Sequence, residues 1–462
     1  MMIPDPARVW QPATMSYQEA MAFWFSRVNF EQRVPKPDDL SLDRMRSLLE
    51  RLGNPHEHLR ILHVAGSKGK GSTSAMLASI FQHAGYRTGL FTSPHLCRVE
   101  ERIQVDGEPI RPEEIATLLS LVKAALAEGR SAAIDPTFFE IATALGFLHF
   151  VSRRVDVAVV EVGLGGRFDS TNVCVPEIAV ITSISFDHTR QLGNRLASIA
   201  MEKAGIVKPG RPAVSGTTVP EAREVIERTC RERGALLRQL GVDFRYTYEP
   251  GWVEESNPRK PYVQVGTIGG SWPRMQLGLL GEHQAANAAV AVACVEELQA
   301  AGWHLPDPAV VAGLANVIWP ARMEILGRHP LVVLDCAHNV ASAQALVKTL
   351  DESFLPARRD RLLVFASSND KDVSGIFRAL APHFAHAFLT RYANGSRSVP
   401  PGDLADILRT TSDLPSTVCP SAVEAWQAAH AAAGRDDLIC ITGSVFLAGE
   451  LRPILLGRRE NL

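Results

Sequence analysis

Short runs of β-branched and aliphatic residues recur along the first half of the chain: ILHVA at 61–65, TGLFTS at 88–93, VDVAVVE at 155–161 and IAVITSI at 178–184. Each ends in a turn containing Gly, Ser or Asp, and stretches long enough for helices separate them. Apolar runs spaced in this way predict parallel strands covered by helices on both faces. An α/β domain is therefore expected from about 61 to 214. Between about 241 and 280 aromatic and β-branched residues alternate between Pro and Gly breaks, which predicts antiparallel strands, and an Ala-rich helix follows over roughly 282–300. From about 331 the earlier pattern resumes in LVVLDCAHN, RLLVFASS, HAFLTRY, STVCP and DLICITGS. The chain is thus expected to divide into residues 1–317, a P-loop nucleotide-binding α/β domain, and 318–462, a smaller Rossmann-like α/β domain, with the boundary near Trp319-Pro320.

Composition narrows the class without changing that picture. The 462 residues are 46% hydrophobic and 21% charged, an ordinary globular balance. A net charge of −2 supplies no field for a nucleic-acid backbone. Seven cysteines without CxxC spacing fit a reduced cytoplasm and argue against a zinc ribbon. The longest apolar runs fall far short of the ~20 residues that cross a bilayer, and the N-terminus lacks a basic region followed by an apolar stretch, so a soluble cytoplasmic protein is expected.

The strongest chemical signal is HVAGSKGKGS at 63–72, directly after a predicted strand and opening the helix TSAMLASIFQHAG. Gly66, Gly69 and Gly71 let backbone N–H groups crowd a phosphate, Lys70 neutralises charge, and the Ser72 hydroxyl can hold magnesium. Ser67 and Lys68 complete the loop. Glu161 ends an apolar strand just before a second Gly-rich turn, where an acid can reach the same cation. His188, after Asp187 at a third strand end, can ligate a metal or form a structural pair with that acid. Lys203 shares the apolar face of its helix with Leu196, Ile199 and Ala200; it can pair with a buried acid, snorkel, or be covalently altered to face a metal. Asn287 lies on a small-residue helix face and can read a nucleobase edge or satisfy a loop. In the second domain Asp335, His338 and Asn339 follow one strand and Asp370, Lys371 and Asp372 the next, as ligand groups or helix caps.

Taken together, these strings resemble the Mur-ligase-like ATP-dependent amide ligases, most closely the folylpolyglutamate synthase and bifunctional dihydrofolate synthase group. The resemblance runs from SYQEAMAFWFSRVNFE through HVAGSKGKGS, FTSPHL, PTFFE, EVGLGGRFDSTN, DHTRQLG, EKAGIVK, GEHQAAN, WPARME, DCAHN, NDKD and TGSVFLAGE. It implies magnesium ligation by Ser72, Glu161 and His188, and a carbamylated Lys203 facing a second metal. ATP contacts are implied for the loop residues 66–72 and for Asn287, Arg322 and Asp335. His338 would sit near the transferred phosphate, so Lys70, Lys203 and His338 carry the catalytic expectation. Substrate contacts are implied for Ser93, Pro94, His95 and Asp169. ATP and Mg2+ are the expected cofactors, folate or dihydropteroate and L-glutamate the partners, and a monomer the working state.

The chain departs from the family pattern where T-N becomes Ser67-Lys68, P-G-R becomes Pro320-Ala321-Arg322, and D-G-A-H-N becomes Asp335-Cys336-Ala337-His338-Asn339. Ala and Cys fit those two glycine positions only if neither needs φ > 0. Two rival readings are another Mur-type amino-acid ligase and an ATP-binding module without ligation chemistry.

Overall fold

The computed structural model describes residues 14–31, 39–127, 134–186, 193, 195–253, 258–354, 360–393 and 397–457. The apolar runs of the first half form the strands β1 (Ile61–Ala65), β2 (Thr88–Phe91), β5 (Val157–Glu161) and β6 (Ile178–Ile181), all buried along their length. Further strands are β3 (Ile103–Val105), β4 (Glu108–Pro109), β7 (Ala213–Ser215) and β8 (Leu237–Gln239). They assemble one sheet in the order β4-β3-β2-β5-β1-β6-β7-β8. The pairing is parallel from β2 to β8, with β3 and β4 added antiparallel at one edge. β1 lies between β5 and β6, so the chain reverses its direction of travel across the sheet there. The carboxyl ends of β1, β2, β5 and β6 therefore share one rim.

The expected antiparallel patch is present. β9 (Phe244–Glu249) pairs with β10 (Tyr262–Thr267), which also pairs with β11 (Gly270–Ser271) and β12 (Met275–Gln276). The helix Glu282–Ala300 follows and buries Asn287, Ala291, Cys294 and Leu298, as their common face predicts. This helix, the patch and the largely buried helix Lys70–His83 share one core with β1, β5 and β6.

A second sheet runs β13 (Glu324–Arg328), β14 (Leu331–Leu334), β18 (Leu438–Thr442), β15 (Arg361–Phe365), β16 (His386–Leu389) and β17 (Ser416–Val418) in spatial order. It is parallel except at β13, an antiparallel edge strand that the apolar pattern does not announce. Its two faces carry separate cores.

Ala321 corrects the condition set by the sequence. It stands at φ 53 and is fully buried, so one of the two glycine replacements occupies the left-handed region after all, whereas Cys336 does not. A left-handed Ala costs about 1 kcal/mol or somewhat more, and its buried methyl group returns about 0.8 kcal/mol. The terms nearly cancel. Ala321→Gly should therefore change unfolding free energy by less than about 1 kcal/mol in a urea titration.

Candidate active site

After β1 the chain turns through residues 66–69 into the helix Lys70–His83, which starts three residues earlier than its apolar stretch suggests. The glycines are required by space as well as by conformation. Gly66 has φ 152, and a Cβ there would lie 1.9 Å from Thr182 Oγ1; Gly69 has φ 82, and a Cβ there would lie 2.2 Å from Asn287 Oδ1. A Cβ on Gly71 would reach the Trp319 ring at 3.0 Å. The loop is bound to the end of β6 by a lattice of short contacts. Ser67 N–H donates to the Ser183 carbonyl at 2.7 Å and its hydroxyl to the Ser185 carbonyl at 2.9 Å. Lys68 N–H donates to Ser183 Oγ at 3.1 Å, and the Thr182 hydroxyl donates to the Lys68 carbonyl at 2.6 Å. A rigid turn leading into a helix N-terminus presents unsatisfied N–H groups and positive potential, which suit an anion.

Lys70 Nζ stands 4.0 Å from Glu161 Oε1, and Ser93 N–H donates to Glu161 Oε2 at 3.2 Å. Burial pushes the Glu161 carboxyl above its usual range; Lys70, the Ser93 N–H, Arg322 and Arg102 pull the other way without prevailing. A buried, under-compensated carboxylate on Glu161 and the buried helix-start hydroxyl of Ser72 are both oxygen donors of the kind a hard divalent cation takes. Magnesium therefore fits Glu161 and Ser72. His188, the third expected ligand, lies outside the described residues, among which no group of three or more His, Cys, Asp or Glu side chains is placed to hold a metal.

The Gly-rich turn after β5 packs directly on the helix Leu196–Ala204. Arg167 N–H donates to the Glu202 carbonyl at 2.8 Å, and a Cβ on Gly166 would lie 3.0 Å from Lys203 Cα. Lys203 is buried with Ile199 and Ala200, so it does not snorkel to the surface. Asp169 is buried and committed to its own turn. Its carboxylate accepts from Leu164 N–H at 2.8 Å, Thr171 N–H at 3.1 Å and the Thr171 hydroxyl at 2.5 Å. Since the Thr171 proton goes to Asp169, the buried His63 must donate its Nε2–H to Thr171 Oγ1, at 2.8 Å. Burial keeps that imidazole neutral, its pKa lowered to about 3.

Between the two sheets lies a cavity of about 730 Å3. Ser93, Pro94 and Asp169 line it from the first lobe, and Arg322 and His338 from the second. His95 is not among its lining residues. It is held in a buried network, where Arg102 Nε donates to its Nδ1 at 2.9 Å and Arg102 also forms a two-point pair with Glu31 at 2.7 and 2.8 Å. Burial, with Arg102 adding to it, lowers the His95 pKa to about 4. The phosphate loop adjoins the cavity without lining it: the Ser93 segment touches Glu161 on one side and the cavity on the other.

In the second lobe Asp335 fixes its own neighbourhood, accepting from Met323 N–H at 3.0 Å and Ala337 N–H at 2.8 Å. Around the half-buried Arg322, desolvation works against the guanidinium charge, but Cys336, Asp335 and, from across the cleft, Glu161 favour it and prevail. His338 lies with Nδ1 2.8 Å from the Cys336 carbonyl, which places its proton on Nδ1 in the neutral ring. The two polar clusters divide between the readings open to them: Asn339 and Asp372 cap helices, whereas Asp370 and Lys371 line the cavity. Asn287 turns its amide to Gln284 Oε1 at 3.0 Å, with its own oxygen against Gly69. Several cavity residues are not among the sequence candidates: Glu31, Arg44, Phe139 and Phe446 lie in stretches that carry the resemblance without being marked as site residues, and Arg397 lies outside them.

A nucleotide-type loop on one rim facing a charged second rim is the geometry of a two-lobed ligase. Comparison with known families decides which. Residues 64–295 match the Mur ligase middle domain and 321–445 the Mur ligase glutamate ligase domain. The chain is 36% identical over 443 residues to the dihydrofolate synthase/folylpolyglutamate synthase of Bacillus subtilis, covering 95% of this chain and 99% of that one. The chain belongs to the folylpolyglutamate synthase family of Mur-type ligases. A solved Mycobacterium tuberculosis folylpolyglutamate synthase complexed with ADP and AMPPCP is 33% identical and superposes with a TM-score of 0.85 over 95% of this chain and 98% of that chain. E. coli FolC in complex with DHPP and ADP superposes at 0.83 with 29% identity, over 98% of this chain and 100% of that one. As a member of this family of ATP-dependent, amide-forming ligases, the chain adds glutamate to folates. Among its described residues no helix is long and apolar enough to cross a membrane.

Proposed function

We propose that one chain, working as a cytoplasmic monomer of the two units 1–317 and 318–462, joins L-glutamate to a folate-side carboxylate through an acyl phosphate, and that dihydropteroate can also serve as acceptor. The observation that supports this most is the electrostatic convergence of Lys70, Glu161 and Arg322 from two lobes beside a 730 Å3 cavity. Residues 66–72 bind the ATP phosphates with backbone N–H groups and Lys70, while Asn287, Arg322 and Asp335 hold the rest of the nucleotide. The acceptor lies along Ser93, Pro94 and Asp169; His95 supports that wall from behind. Its carboxylate oxygen attacks the γ-phosphorus and ADP departs. The glutamate amine then attacks the acyl carbon, and phosphate leaves with the carboxyl oxygen that it received.

Both reactants of the first step are anions, so the protein's task is charge neutralisation and alignment. Lys70 donates toward the transferred group, and His338, whose Nδ1–H is held by the Cys336 carbonyl, can do so through Nε2 only as the imidazolium. Ser72, Glu161 and His188 would hold magnesium, with Lys203 as its carbamate toward a second ion, and the bound metal would supply neutralisation of phosphate charge. The Lys203 assignment has its own check: intact mass measured in bicarbonate should show one added CO2, lost on acidification, and Lys203→Ala should abolish the increment.

Purified protein given ATP should release phosphate only when a folate or pteroate and glutamate are both present. Rapid phosphate release with neither would overturn the ligase mechanism, and tight ATP binding with no ADP formed under any combination of acceptor and glutamate would leave only a binding module. A panel including cell-wall precursor acceptors separates the folate reading from other Mur-type chemistry.

A further inference from the structure

The lobes touch on both sides of the cleft. On the side of the connecting segment, Val253 N–H donates to the Ser353 carbonyl at 2.9 Å, and Lys348 pairs with Glu282. On the opposite side the loop after β2 meets the helix Val445–Leu455 of the second lobe. A Cβ on Gly449 would lie 1.9 Å from the Leu96 carbonyl oxygen, and Cys97 Sγ lies 3.5 Å from the Gly449 carbonyl. The obstructing atom is backbone, so it cannot be relieved by a rotamer change. The loop offers this surface in a fixed shape because Glu101 gathers three of its N–H groups, those of Leu96, Cys97 and Arg98, at 2.8 to 3.2 Å. Three residues upstream of Leu96, Ser93 holds Glu161, and three upstream of Gly449, Phe446 lines the cavity with Ser444 and Val445.

We propose that Gly449 is a positioning residue: its contact with the Leu96 carbonyl sets the register between the Ser93–Glu161 edge of the first lobe and the Ser444–Phe446 edge of the second. The contact does no chemistry. It places glutamate-side groups of one lobe at a fixed distance from the phosphate-side groups of the other. The inference rests on the ligase reading for its kinetic consequence only, because the contact has a readout of its own. Cys97 is the one cysteine among the described residues that is not buried, and it sits in this seam.

Gly449→Ala tests the proposal. Within a helix Ala is favoured over Gly, so a residue that served only its own helix would gain stability and keep full activity. The register role predicts instead that kcat falls about 10- to 100-fold, as expected for groups misplaced by an ångström, while the thermal midpoint is not lowered. It also predicts that Cys97 reacts several-fold faster with a thiol reagent. Glu101→Gln approaches the same seam from the other lobe and should repeat both signatures, whereas Gly402→Ala, at a helical glycine with open space around it, should show neither. Wild-type kcat and wild-type Cys97 reactivity in Gly449→Ala would overturn the proposal, as would a loss of activity matched by a loss of thermal stability with Cys97 unchanged. Faster Cys97 reaction in a protein that ligates no folate would retain the seam and reject the ligase reading.

Discussion

Lys70→Ala should lower kcat on the order of 10²- to 10³-fold, with folding intact. The expectation follows from where the lysine stands. It occupies the first turn of a helix, in a loop whose shape is held by contacts to β6 that do not involve its side chain. Removing it leaves the cradle in place and takes away a preorganised positive charge that the anionic attack requires, a loss of about 3 to 4 kcal/mol of transition-state stabilisation by comparison with other such donors. Circular dichroism should be unchanged, and single-turnover phosphate transfer should be slow even at saturating ATP. A rate within threefold of wild type would remove Lys70 from the mechanism.

Glu161→Gln should abolish ligation and stabilise the protein prepared without nucleotide or metal. Burial raises the folded-state pKa of this carboxyl. An acid whose pKa is raised on folding binds its proton more tightly in the native state, so its contribution is most favourable at low pH and is lost as pH climbs from the unfolded value through the folded one. At neutral pH the ionised group therefore works against the fold. Glutamine keeps the size and can still accept from Ser93 N–H without the buried charge. The variant should melt at a higher temperature than wild type at pH 7, and the gap should close as pH falls below the ordinary carboxylate range. Saturating magnesium should raise the wild-type midpoint and leave the variant unmoved. A variant that melts lower at pH 7 would show that Glu161 is satisfied by Lys70 alone and does not await a cation.

The parallel cores were legible because strands buried on both faces must be apolar throughout, and the rim turns were legible because phosphate-type loops need glycine where a Cβ would strike Thr182 or Asn287. Edge elements escaped for the converse reason. β13 is only half-buried and β4 is two residues long, so neither carries an apolar run. The cavity wall was partly hidden too. Glu31, Arg44, Phe139, Arg397 and Phe446 meet only through the tertiary fold, and no local spacing links them. Lys203 shows the intermediate case: its place on the apolar face left burial and snorkelling both open, and burial was decided by a turn some forty residues earlier that packs on its helix.

The joint formed by Val253 with Ser353 and by Glu282 with Lys348 gives the connecting peptide little to carry mechanically. Ile318, in that peptide, is 82% exposed, an open target for a protease. A chain nicked there would stay together as a noncovalent pair, because the tether is backed by a clasp on either flank of the groove. Coexpressed halves could reassemble by the same route, so continuity of the polypeptide at this point serves delivery of the second half more than its retention.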